Sequence, residues 1–175
     1  MRALASLGLL LLLPGHAQAA VEHRVSGLQF EAPDEAEVTR HTLNDTADAI
    51  AITRGEEGLV LTVYQGKKAP TAARALKTHL AELEARLVKG TVKHSLEVAK
   101  EARKLLGRRS RGRFLSYRKH YAGGERAYVA HLNARRTRGL TVVTLWSAPA
   151  AANQGHFSPA LLTSLVLTKR LASRS

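Results

Sequence analysis

Apolar and polar residues alternate along several stretches of this chain, and the alternation predicts strands. Over residues 59–65, leucine and valine occupy every second position, with β-branched or aromatic residues among those between. Such residues fit a pleated, half-buried surface. Residues 140–146 show the same pattern. Weaker alternation predicts an edge strand over residues 37–43 and another strand over 47–54, and a loop with a glycine at each end, residues 55–58, favours a hairpin.

The second half of the chain predicts a meander of three strands. Residues 114–121 and 126–135 each place alternate apolar or aromatic residues on one side. Two adjacent glycines, Gly123 and Gly124, tolerate positive φ and suit the turn between them. A second turn, at residues 136–139, precedes the third strand, which is the clear strand described above.

Leucine spacing predicts a helix between these two groups of strands. Leu76, Leu80, Leu83 and Leu87 fall at i, i+4, i+7 and i+11, which is one stripe of a helix. Thr71 suits the N-cap, because its hydroxyl can accept a hydrogen bond from a free N–H of the first turn.

Two other segments complete the predicted elements. A closing helix is expected to begin at Ser158, followed by Pro159 at its first position. The middle of the chain has two interpretations, because residues 91–98 alternate as a strand does while residues 96–106 have helical spacing. We favour a short helix or irregular stretch ending at Gly107, and then a basic, flexible connector at residues 108–113.

Residues 60–64 and 142–146 resemble each other, and each is followed by a loop and a predicted helix. Chance similarity between two amphipathic strands is the alternative to a true internal repeat. Two hairpins with added strands form a mostly antiparallel sheet, and the apolar stripes of two helices must be buried against it. The predicted fold class is therefore α+β: a mostly antiparallel sheet of two hairpin units, with helices packed on it.

The N-terminus predicts a cleavable signal peptide at residues 1–19. Arg2 precedes an apolar stretch that ends in five leucines, and Ala17 and Ala19 form an A-x-A cleavage site. A membrane anchor is the alternative, but the apolar run is shorter than the roughly 20 residues that a span needs. We therefore expect residues 20–175 to be a single exported domain, periplasmic or extracellular, with no transmembrane segment.

Composition adds a strong positive charge and excludes thiol chemistry. The chain has 27 Lys and Arg against 14 Asp and Glu, a formal net charge of +13, and no Cys. A field of this sign attracts polyanions. Many exported proteins are basic without having such a ligand, however, so charge alone does not define a function.

Candidate catalytic and metal-binding groups are sparse. His79 and Glu82 are spaced to share a helix face, and His120 and His131 could be cross-strand partners; either pair could contribute to a zinc site. Residues 116–119 match S-x-x-K, but on a strand positions i and i+3 point to opposite faces. There is no G-x-S-x-G and no phosphate-binding loop. We expect no metal, no cofactor and no enzymatic activity.

Basic residues with interleaved tyrosines are the one functional lead. Arginine pairs in bidentate fashion with phosphate or carboxylate, and tyrosine can stack or hydrogen-bond. If Arg118 and Arg126 project from the same sheet face, a cationic surface results; otherwise the arginines form an ordinary solvated face. The candidate anion-binding residues are Arg108, Arg109, Arg111, Arg113, Arg118, Arg126, Arg135 and Arg136.

The order of elements resembles the Mog1p/PsbP-like superfamily, which includes DcrB-like and LpqN-like exported bacterial proteins. The matching pieces are a short strand at residues 28–30 closed by Pro33, the strand at 59–64, the leucine-striped helix, the meander at 114–146 and the C-terminal helix. The opening strands are less apolar and the middle is richer in arginine than in a usual member. The resemblance implies an accessory, binding or assembly factor, and it carries over no functional residue.

We therefore expect an exported, non-catalytic protein that binds a protein or an anionic cell-envelope component through a basic surface. Two alternatives stay open. One is a polyanion-binding protein for lipopolysaccharide, acidic polysaccharide or nucleic acid, although export argues against nucleic acid. The other is a small secreted hydrolase that uses His with Ser or a carboxylate.

Overall fold

The computed structural model describes residues 20–89, 94–101, 103–121, 124–151 and 158–167. Within these ranges the chain forms twelve strands and two helices, and the predicted signal peptide lies outside them. In chain order the elements are β1 (Ala20–Val25), β2 (Leu28–Pro33), β3 (Glu37–Asn44), β4 (Ala47–Arg54), β5 (Glu57–Gln65), α1 (Ala72–Lys89), β6 (His94–Glu101), β7 (Lys104–Leu105), β8 (Arg108–Arg109), β9 (Arg111–Tyr121), β10 (Gly124–Thr137), β11 (Leu140–Pro149), α2 (Ser158–Ser164) and β12 (Val166–Leu167).

A seven-stranded sheet forms the centre of the molecule. Its strand order is β3-β4-β5-β11-β10-β9-β6, and every neighbouring pair is antiparallel. The two clearest predicted strands, β5 and β11, lie side by side in the middle, with Val60 opposite Leu145 and Val63 opposite Val142. A smaller sheet has the order β1-β2-β12, and β7 pairs with β8.

The α+β prediction is wrong, because strands dominate the described residues and the fold is β-rich. Its mostly antiparallel sheet is present. The middle of the chain accounts for much of the difference: β6 (His94–Glu101) is a strand where we favoured a helix or irregular stretch. The expected flexible connector at residues 108–113 supplies β8 and the start of β9.

The main core lies on one face of the large sheet, which we call the front face. Alternate residues of β4, β5 and β11 point into it, and β2, β7 and α2 cover them. Leu59, Leu61 and Val63 are fully buried there, as the period-2 pattern predicts. Leu28 of β2 and Leu161 of α2 close the core from the other side.

Helix α1 lies on the opposite, back face. The predicted N-cap is present, because the Thr71 hydroxyl oxygen accepts a hydrogen bond from the Arg74 N–H at 3.2 Å. Leu76 is buried against residues of β9, β10 and β11, and Leu80 and Leu83 pack half-buried beside it. The side chain of Leu87, which completes the predicted stripe, lies outside the described residues. Within the described ranges, neither helix combines the length and apolarity needed to cross a bilayer.

The two similar segments occupy opposite orientations in the sheet. Val60 faces the side of α1, where it lies in a cleft with Leu83 of that helix. Val142, its counterpart in the sequence, points into the front core together with Leu161 of α2. Each segment therefore turns equivalent residues towards the helix that follows it, and the two helices lie on opposite faces.

Candidate anion-binding groove

A groove of about 760 Å³ lies between α1 and the strands β6, β8 and β9. Its apolar lining comes from one face of α1, namely Ala73, Leu76 and Leu80. Cationic side chains surround this lining. We call the site the basic groove and define it by its five cations, Lys77, Lys100, Arg109, Arg111 and Arg113.

Sheet register brings these cations together. Lys100 of β6 lies directly opposite Arg113 of β9, and Arg111 lies two residues further along β9. Because side chains alternate along a strand, these three share a face with buried Leu115, which is the face that α1 covers. Helix α1 adds Lys77, one residue after Leu76 and on the side that faces the groove.

The cations of the groove have few acidic partners. Among the described residues, Lys77, Lys100, Arg109 and Arg111 form no ion pair, and Arg113 donates to the Gly112 carbonyl oxygen at 2.9 Å. Unpaired charges of one sign in a cleft with apolar walls create a positive potential that attracts anions.

One acidic residue, Glu101, borders the groove. It follows Lys100 in β6, so its side chain projects to the front face, and its carboxylate is engaged there. Its Oε1 accepts a hydrogen bond from Arg103 Nε at 2.9 Å, and its Oε2 lies 2.7 Å from His131 Nδ1. Burial opposes ionisation of Glu101, but the hydrogen bonds from Arg103 and His131 outweigh it and hold its pKa below the ordinary value.

A buried amide lies directly behind the strand that lines the groove. Asn133 is opposite Gly112 in the register and is only 2% exposed. Neither atom of its amide group has a hydrogen-bond partner among the described residues. A methyl group at Gly112 would collide with the Asn133 Oδ1, so glycine is the residue that lets this amide fit against β9.

Three of the eight predicted arginines meet in the groove, namely Arg109, Arg111 and Arg113. Arg108 and Arg135 instead line a different cleft, beside β12. There Arg135 donates to the carbonyl oxygens of Leu105 and Leu106 at 2.7 and 2.6 Å, which is a structural role. Arg136 is exposed and lines none of the clefts described here.

The proposed surface joining Arg118 and Arg126 does not form. The β9–β10 register places Arg118 opposite Ala127 and Arg126 opposite Lys119, so the two arginines project from opposite faces. Each is also paired with a carboxylate: Arg118 with Glu125 at 3.1 Å and Arg126 with Glu56 at 2.5 Å. The cationic surface is therefore narrower than predicted.

Sequence reasoning did not place Lys77 or Lys100 among the site residues. Lys77 lies in α1 but outside its leucine stripe, which was the feature that predicted the helix. Lys100 lies in the segment that we assigned to a helix or irregular structure. Strand alternation over residues 92–98, extended by one pair to Lys100, would have placed it on the same face as Leu96 and Val98. No sequence signal relates Lys77 to the arginines of β9.

His131 belongs to a polar network on the front face. Its ring stacks on Trp146 with centroids 4.9 Å apart, and its Nε2 lies 2.8 Å from Arg103 Nη2. Because arginine only donates, Nε2 accepts, and Nδ1 carries the proton that it donates to Glu101. The network continues through Trp146, whose Nε1 donates to Glu57 Oε1 at 2.7 Å.

This arrangement bears on the hydrolase alternative. His131 does meet a carboxylate, but both ring nitrogens are engaged and the residue is only 8% exposed. A general base needs a nitrogen within reach of a proton on the substrate. Ser116 and Lys119 of the S-x-x-K match project from opposite faces of β9, as expected for a strand.

The two residue pairs that the sequence suggested as zinc ligands, His120 with His131 and His79 with Glu82, are arranged as follows. His120 lies opposite Glu125 and not opposite His131, because His131 pairs with Phe114. His79 Nε2 is 2.9 Å from the Tyr64 hydroxyl, and its Nδ1 is 3.8 Å from Glu82 Oε2. Within the part of the chain that the structure describes, no three metal-ligating side chains cluster.

No protein-family model and no curated protein matches this chain. Among solved structures, it is similar to a protein from Bacteroides thetaiotaomicron (TM-score 0.49, 10% identity). The match covers 82% of this chain, and it spans about half, 46%, of the length of that protein. It is also similar to LpqN of Mycobacterium tuberculosis, described as involved in cell envelope biogenesis (TM-score 0.47, 15% identity, 86% of this chain and 90% of that one). A third similar chain is PA94 of Pseudomonas aeruginosa, a protein of unknown function (TM-score 0.32, 12% identity, 75% of this chain and 84% of that one). At these TM-scores and identities we draw no functional conclusion from them, and the superfamily resemblance stays a prediction.

Proposed function

We propose that this chain is an exported, non-catalytic binding protein whose basic groove binds an anionic partner. The observation that supports the proposal is the convergence of five cations on one cleft. The one acidic residue among the described residues that line it, Glu101, has its carboxylate held by Arg103 and His131 on the front face. Carboxylate, phosphate and sulfate groups are the chemistry that such arginines and lysines recognise.

The distribution of charge favours a short anionic segment over a long polyanion. Arg118 and Arg126, which would extend a basic track along the sheet, are each paired with a glutamate and lie on opposite faces. A polyanion that follows the whole surface would need a continuous row of unpaired cations. The groove instead offers a local site with an apolar wall.

Binding of a short heparin-derived oligosaccharide, used as a generic anionic probe, tests the proposal. The paired changes Lys100→Gln and Arg111→Gln remove two charges from the groove, and Arg118→Gln with Arg126→Gln removes two charges outside it. Each Lys or Arg beside an anionic surface contributes about 1 kcal/mol, so we expect the groove variant to bind about 30-fold more weakly. The matched control should change by less than about threefold, because its arginines are already paired.

Isothermal titration calorimetry at several salt concentrations measures the affinity of both variants for the heparin-derived oligosaccharide. Affinity of the native protein should fall with rising salt, and the slope should be shallower for the groove variant because fewer counterions are exchanged. Equal losses in the two variants would show that net charge, and not the groove, attracts the probe, and the proposal would then be withdrawn.

A further inference from the structure

Strand β6, which forms one side of the basic groove, is the terminal strand of the large sheet. Among the described residues it pairs only with β9, in one continuous register from His94 opposite Lys119 to Glu101 opposite Gly112. No other strand of the described ranges pairs with its outer edge, so the backbone N–H and C=O groups on that side have no partner within them. Such an edge can accept a further strand from another chain.

The opposite edge of the sheet is less suited to this. There β3 has a register shift between Thr42 and Asn44. A bulge is a feature that discourages strand addition. Within the described part of β6, the pairing has no bulge and the segment contains no proline.

Side chains along β6 define what a partner strand would need. Leu96, Val98 and Lys100 alternate onto the back face, where Leu96 packs at the border of the α1 core and Val98 is 42% exposed. Lys100 follows them and reaches the basic groove. A strand laid along β6 would thus meet apolar side chains first and then a cluster of positive charge.

We infer that the outer edge of β6 docks an extended segment of a partner protein, which adds to the sheet as an antiparallel strand. On the face shared with α1, its carboxylate side chains lie beside Lys100, with Arg113 one strand further in, and its apolar side chains lie beside Val98 and Leu96. Because the added strand runs antiparallel to β6, its carboxylate residues precede its apolar residues in the partner's sequence. This inference rests on the proposed function, and it specifies the anionic partner of the basic groove as an acidic, partly apolar peptide segment.

Two other occupants fit less well. A second copy of this chain would bring a formal charge of +13 against another +13, and long-range repulsion opposes that association. An acidic polysaccharide has no peptide groups that could pair with the edge of β6. An acidic, partly apolar peptide uses the free backbone edge, the exposed Val98 and the cations together.

Synthetic peptides test the inference on the full chain. The first alternates threonine with glutamate in its N-terminal half and threonine with valine in its C-terminal half; the second has the two halves in reverse order, with the same composition and charge. We expect the first to bind at least tenfold more tightly by fluorescence anisotropy. Two further versions of the first peptide are N-methylated at alternate residues, one in each frame. Only one frame faces β6, so only one version should lose binding, by at least tenfold.

A variant of the protein separates the contribution of apolar contact at the edge of β6 from that of the positive charge in the basic groove. Val98→Thr should weaken peptide binding about fivefold while leaving heparin-fragment binding unchanged, because it removes apolar contact without altering charge. Val21→Thr, at a similarly exposed valine of β1, is the matched control and should change neither. Equal binding of both peptide orders, together with tolerance of methylation in both frames, would overturn the inference while leaving the groove as an anion site. Failure of the peptides and of the heparin fragment alike would overturn the proposed function as well.

Discussion

Replacing Trp146 with alanine is expected to lower the free energy of unfolding by about 3–5 kcal/mol, the usual cost of removing a large aromatic side chain from a core. Trp146 is 4% exposed and lies among the leucines of the front face. It also joins two parts of the polar network, because its indole stacks on His131 and its N–H donates to Glu57. Truncation therefore removes packing and a hydrogen bond at once.

Urea denaturation measures this effect, and two comparisons separate its components. Trp146→Phe keeps an aromatic ring but lacks the donor to Glu57, so it should cost about 1.5–3 kcal/mol, the range for a hydrogen bond to a charged group. Val98→Ala, at an exposed position of β6, should change stability by less than about 0.5 kcal/mol. If Trp146→Ala cost no more than Val98→Ala, the front core would not be organised around this residue.

Glu101→Gln is expected to cost about 2 kcal/mol at neutral pH and to flatten the acid limb of the stability curve. The carboxylate accepts from Arg103 and His131 at once, and hydrogen bonds to charged groups contribute about 1.5–3 kcal/mol. Its folded pKa is lowered from the ordinary value of 4.5. An acid whose pKa is lower in the folded state binds fewer protons there, so it stabilises the fold above about pH 4.5, and that contribution is lost as pH falls through the folded value.

The measurement is the free energy of unfolding from pH 7 down to pH 3 for both proteins. The difference between native chain and variant should be largest at pH 7 and should shrink below pH 4.5. Glu97→Gln, at an exposed glutamate on the same face of β6, is the matched control and should run parallel to the native curve. A difference for Glu101→Gln that stayed constant across this range would mean that the charge of Glu101 does not stabilise the network.

Local patterns predicted those parts of the fold whose surroundings are simple. Helix α1 followed from its leucine stripe and Thr71, and β5 and β11 followed from strict alternation, because each buries one well-defined face. The middle of the chain was different. Its sequence supports both a strand, from the alternation over residues 91–98, and a helix, from the spacing over residues 96–106, and the pairing of β6 with β9 decides for the strand. Tertiary pairing overrides propensity in such a segment.

The groove could be predicted only in part for the same reason. Arg109, Arg111 and Arg113 are close in sequence, so their clustering was visible. Lys77 is far from them in sequence and meets them because α1 crosses the back face. Conversely, a joint surface of Arg118 and Arg126 depended on their sharing a sheet face. The strand register, which no local pattern fixes, places them on opposite faces.

Amide chemical shifts of the isotopically labelled protein, titrated with the heparin fragment, test most directly that the basic groove is the anion site. We predict that shifts concentrate at residues 109–113, Lys100 and Lys77, with small changes at Arg118 and Arg126. Shifts centred on Arg118 and Arg126, or spread evenly over the basic residues, would contradict the account.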